Sequence, residues 1–131
     1  MRLSHLLLTA LLLTAPLACS RDDPAATVKT FLTAVEEKDV EKAFGLFSRD
    51  SQKALQAYVD QAKLKSQGGD PRKEVLAEAM GAGLQRKILA VEVLKQDETS
   101  ATVKMTDSNY QTQQMRLVKE DGAWRLTLET P

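Results

Sequence analysis

Few residues in this chain carry side chains able to do chemistry near neutral pH. The only cysteine is Cys19 and the only histidine is His5. Without a second thiol there is no internal disulfide, and a nucleophilic triad or transition-metal site has almost nothing to draw on. What remains for proton transfer is a set of carboxylates and two tyrosines. Asp107 closes an alternating run, so it points either into a cavity or, standing before Ser108-Asn109, accepts hydrogen bonds in a turn, which is the simpler reading. Tyr58 lies on an apolar helical face and reads first as a core ring with its hydroxyl at the rim; Tyr110 follows a loop. Trp124 offers either the wall of a ligand pocket or an anchor that packs a hairpin onto a helix. Among strand acids only Glu92, between Val91 and Val93, has a reason to be drawn inside, while Asp97, Glu98 and Asp121 fall at turns. Met80, Met105 and Met115 have core spacing rather than that of a soft metal site. No catalytic residue, cofactor or metal is expected. Tyr58, Asp107, Tyr110 and Trp124 are the candidates for lining a pocket.

Charge excludes one class of partner. Lys and Arg number 18 against 18 Asp and Glu, and without Arg2 the balance is 17 against 18, a net of −1. No basic stripe stands out, so nucleic acid has no electrostatic footprint here. Lys63, Lys65, Arg72 and Lys73 do crowd one end of the predicted helical half, where anionic lipid heads are one conceivable contact, diluted by Asp70 and Glu74.

Residues 1–18 carry Arg2, then an apolar run from Leu6 to about Leu13, then small residues. This is the shape of a secretory signal and is too short to span a bilayer. Its end, Leu17-Ala18-Cys19-Ser20, resembles the lipobox of bacterial lipoproteins. Ala18 matches that pattern; Pro16 and Leu17 stand where the family prefers Leu and a small residue. The resemblance implies cleavage before Cys19 and lipidation of its sulfur and new amine. Two or three acyl chains, at about 0.8 kcal/mol per buried CH₂, anchor a protein stably. In a Gram-negative host, Ser20 after the cysteine resembles an outer-membrane sorting signal, which places the domain in the periplasm. Residues 19–23 then form a short lipidated tether, and residues 24–131 the domain.

Asp23-Pro24 supplies an acceptor at the N-cap and a proline at the first helical position. Val28, Phe31, Leu32 and Val35 follow at helical spacing, with a second, shorter helix after Asp39 bearing Val40, Ala43, Phe44 and Phe47. Ser48 to Ser51 reads as a polar corner before a third helix with Leu55, Tyr58, Val59 and Ala62. Asp70-Pro71 repeats the cap and opens a segment with Val75, Leu76, Ala79 and Met80 that frays at Gly81-Ala82-Gly83. From Ile88 the period changes to two. Ile88 to Leu94, then Ala101, Val103 and Met105, then a closing hairpin about Asp121-Gly122 give about four antiparallel strands. The order predicts an α+β domain with helices on one face of a curved sheet.

The run from Pro24 to Phe44 and the ending Arg116 to Leu126, where a tryptophan follows the turn, resemble the first helices and last hairpin of the nuclear transport factor two-like, cone-shaped superfamily. More narrowly they resemble small bacterial lipoproteins of unknown function built on that fold. The resemblance covers roughly Pro24 to Glu129. It implies a cone whose mouth, in the isomerase and dehydratase members, holds a carboxylate base, often a histidine, and an oxyanion stabiliser. This chain offers no histidine and no paired carboxylates for that work. The expectation is a membrane-anchored envelope lipoprotein whose non-catalytic domain binds a protein or envelope polymer. The alternatives are a carrier of a small apolar ligand in the cone and, third, an isomerase-like enzyme.

Overall fold

The first helix, α1, spans Pro24–Glu36, and it begins where Asp23 accepts the Ala25 N–H at 2.9 Å. Val28, Phe31 and Ala34 are wholly buried along its inner face, while Leu32 and Val35 are half-buried against the same core. Its end is a left-handed cap: Lys38 takes φ 60°, and the N–H groups of Lys38 and Asp39 reach back to Val35 and Ala34 at 3.1 and 2.8 Å. Asp39 then caps α2 (Val40–Gly45) through the Lys42 N–H. The computed structural model describes residues 23–65, 68–80 and 86–128.

Two of the sequence expectations for the next stretch change. Phe47 lies beyond α2, in an isolated parallel bridge to Leu126, and Phe44 is half-buried rather than buried. The stretch read as a polar corner is a helix start, because Ser48 caps α3 (Arg49–Lys65) by accepting the Ser51 N–H at 3.2 Å. Leu55 and Val59 pack inward from α3, and Val75 and Leu76 from α4 (Pro71–Met80), so two helices lie between Ser48 and Met80.

Four strands complete an α+β architecture: β1 (Ile88–Gln96), β2 (Ser100–Asp107), β3 (Thr112–Glu120) and β4 (Ala123–Leu126). They pair antiparallel in chain order, leaving a curved, unclosed sheet. The turn between β3 and β4 is the two-residue Asp121-Gly122 at φ 50° and 76°, the doubly positive geometry that matches strand twist. Inner-face residues alternate as expected, with Ala101, Val103 and Met105 of β2, Met115 and Leu117 of β3, and Trp124 and Leu126 of β4 all buried. Phe31 meets Phe47 edge to face at 5.4 Å between ring centres, joining α1 to the bridge beside β4.

The two edges of the sheet are managed differently. Along β4 the segment 46–48 docks, with Leu126 N–H donating to Leu46 at 2.9 Å and Ser48 N–H to Leu126 at 2.8 Å. Along β1 the register with β2 shifts twice, between Ile88 and Ala90 and between Val93 and Lys95. Each shift leaves a leucine, Leu89 or Leu94, as the extra residue of a bulge, and both are exposed. Val91 and Val93 stand opposite Met105 and Val103 on the inner face, so Glu92 is turned outward opposite Lys104 and pairs with it at 3.1 Å.

Candidate functional site

Continuing the inward alternation of β2 past Met105 brings Asp107 to the open end of the sheet, only 6% exposed. There it lines a cavity of about 320 Å³ shared with Arg86, Ile88, Met105, Gln111, Thr112 and Gln113. Its Oδ1 accepts the N–H groups of Asn109 and Gln111 at 2.8 and 2.9 Å, and its Oδ2 accepts Arg86 Nη1 at 3.3 Å. Burial pushes this carboxyl up, but the Gln111 and Asn109 N–H groups and the Arg86 guanidinium outweigh it and hold the group below the usual carboxylate range. Arg86 also donates to the Gln111 side-chain carbonyl. The Asp107 backbone closes the loop, donating to Gln111 O and accepting from Tyr110 N–H, both at 2.9 Å.

Asp107 is thereby the acceptor of a turn and, at the same time, one wall of a pocket. Neither tyrosine hydroxyl is among its hydrogen-bond partners. Tyr110 is 82% exposed and stands at φ 60°, a backbone setting unusual for a bulky residue. Tyr58 is more than half exposed and lines a separate cleft of about 520 Å³ between α3 and α4, with Lys65, Glu74 and Glu78. Trp124 is 3% exposed within the core, with Lys119 Nζ 5.4 Å from its ring centre, and it lines neither cavity. The four candidates therefore do not converge. Cys19 and the rest of residues 1–22 lie outside the described residues.

Three residues of the end pocket escaped the sequence reading. Arg86 stands beside Lys87 in a charge pair with no spacing that points to a site. Gln111 and Gln113 carried no motif, yet Gln113 stands two residues before Met115 and pairs with Met105, so extending the inward alternation by one step finds it. The basic cluster resolves into partial pairs, Lys63 with Asp60 at 3.7 Å and Arg72 with Glu41 at 3.6 Å. Glu41 follows the C-terminal end of α1, whose 13 residues at about 1.5 Å each put that end roughly 20 Å from Asp23. The Arg72–Glu41 pair thus lies toward the opposite end of α1 from Asp23. Among the described residues no helix is long and apolar enough to cross a membrane, and no three potential metal ligands come together.

A family model described as a domain of unknown function, DUF4878, matches residues 17–127, and the chain belongs to that family. No curated protein matches the chain.

Proposed function

We propose that the protein is a lipid-anchored component of a bacterial envelope whose non-catalytic domain, of nuclear transport factor two-like build, binds a partner protein or envelope polymer at the open end of its sheet. The four helices on one face of an unclosed antiparallel sheet are compatible with that build. Supporting the anchor is the apolar leader running into Leu17-Ala18-Cys19. The observation that carries the binding reading is the loop between β2 and β3. Its buried carboxylate is spent on two backbone N–H groups and Arg86, which makes it a poor base near neutrality. The same bonds hold Tyr110 out in solvent, and an exposed, pre-ordered aromatic beside polar amides suits recognition better than proton transfer.

The test uses the full chain, immobilised, and envelope extract from its host. Specific retention that falls about tenfold with Tyr110→Ala, while the variant melts as the parent does, is the expected result. Retention untouched by Tyr110→Ala and by Gln113→Ala would remove the binding surface from this end of the sheet.

A further inference from the structure

A second groove lies on the other side of Arg86, between α1 and the β1 edge, and encloses about 700 Å³, within the range of small-molecule sites. Lys29, Leu32, Thr33 and Glu36 of α1 form one wall, and the consecutive residues from Arg86 to Val91 form the other. Six consecutive residues line it, and the last four, Ile88 to Val91, belong to β1, so the groove follows the strand edge for about 10 Å at ~3.3 Å per residue and continues past Lys87 and Arg86. Its floor is apolar: Leu32, Ile88 and Val91 are half-buried, and Leu89 is 51% exposed. Its polar groups are lopsided, with Lys29 and Lys87 against the single acid Glu36, while Arg86 is paired with Asp107.

Among the described residues no strand pairs with the outer side of β1, and such an edge invites another strand, but this one is broken. The bulge at Leu89 falls within the groove, and a second follows at Leu94. Bulges bend an edge and interrupt its even row of N–H and C=O groups, which is how edges are protected from added strands. A peptide or a second copy of β1 cannot pair along it without losing part of the ladder. An acyl chain needs no ladder. It needs apolar wall on two sides and, at its head, an excess of cations.

We infer that the α1–β1 groove binds a long-chain fatty acid, the acyl chain lying over Leu32, Ile88, Leu89 and Val91 and the carboxylate met by Lys29 and Lys87. The groove shares Arg86 and Ile88 with the end pocket but opens on the α1 side of them, and the proposal holds whether or not that pocket binds a partner. Lys29 is six residues along α1 from Asp23, about 9 Å at 1.5 Å per residue, so a ligand entering from a membrane at the tether has a short way to travel.

The experiment reconstitutes the full chain in phosphatidylcholine nanodiscs and adds palmitic acid carrying a diazirine at its chain end. After photolysis, adducts are mapped by peptide mass spectrometry. The expected adducts fall on the α1 peptide containing Leu32 and on residues 88–91, and unlabelled palmitate competes them away. Lys29→Glu with Lys87→Glu, both exposed positions, should lower that labelling about tenfold with an unchanged circular dichroism spectrum. The matching fatty alcohol should label as weakly as that variant. Equal labelling by acid and alcohol, indifference to the charge reversals, or adducts confined to residues 105–113 or to the N-terminal stretch would each overturn the proposal. So would labelling that disappears as protein concentration rises, which would mean that a second copy covers the groove.

Discussion

Phe31→Ala is the sharpest test of the packing. Phe31 is wholly buried, at the point where α1 meets the Phe47–Leu126 bridge, and its ring lies edge to face with that of Phe47. Truncating a buried phenylalanine costs about 3–5 kcal/mol through lost transfer energy and the cavity left behind. About 0.5–1.5 kcal/mol of this belongs to the aromatic pair. Against a domain stability of roughly 5–15 kcal/mol this is a large fraction. The chain reports on itself, because Trp124 is its single tryptophan and is 3% exposed, so unfolding moves a buried indole into water. With a slope near ~2 kcal/mol per molar urea, the midpoint should fall by about 2 M. A cycle with Phe47→Ala should return a coupling of about 0.5–1.5 kcal/mol. A loss below about 1 kcal/mol, or native tryptophan emission already at the solvent-exposed wavelength, would refute this core.

Three further outcomes are expected. Asp97, bonded by the Thr99 and Ser100 N–H groups and the Ser100 hydroxyl, has its pKa lowered to about 2, and Asp107 is also lowered. Depressed folded values mean that their stabilisation is full above about pH 5 and is lost as pH falls through about 4 toward 2, so Asp97→Asn should flatten the melting-temperature profile in that window. A slope unchanged in Asp97→Asn would contradict the assignment. Lys38→Gly should raise stability by about 0.5–1 kcal/mol, since glycine takes the φ of 60° without strain; destabilisation would mean that the lysine side chain holds the cap. Cys19→Ala should leave uncleaved precursor or a form that stays out of the detergent phase, as read by mass spectrometry after phase partitioning. Mature-mass protein that still partitions into detergent would end the lipoprotein reading.

The elements that were legible in the sequence are those with a local cause. Asp23-Pro24 and Asp70-Pro71 both open helices, Asp121-Gly122 makes the tight turn, and the alternation through Met105 gives the buried face of β2. What escaped depends on partners distant in sequence. Strict alternation leaves open which face of β1 is inward, and only its register against β2, with two bulges, turns Glu92 to solvent and makes Leu89 and Leu94 the extra residues. Ser48 looked like loop because a capping serine and a loop serine are the same residue until the helix beyond is fixed. Asp107 was read as a turn acceptor or a cavity wall, and it is both, because the turn it caps closes the pocket. Arg86 and Gln111 have no periodicity that could announce them.

The docking of residues 45–51 on β4 also sets an order of events in biogenesis. Arg125 donates to Gly45 O, Leu128 N–H to Ser51 Oγ and Arg49 N–H to Glu120, across sequence separations of 80, 77 and 71 residues. Contacts this remote must pay their loop-closure entropy before they return anything, which slows the final step of folding. During vectorial synthesis α1 and α2 emerge before the strands, and the segment 46–48 has no strand to rest on until β4 arrives. The half-made chain therefore exposes the faces of Phe31 and Phe47, a window in which a holding chaperone has something to grip.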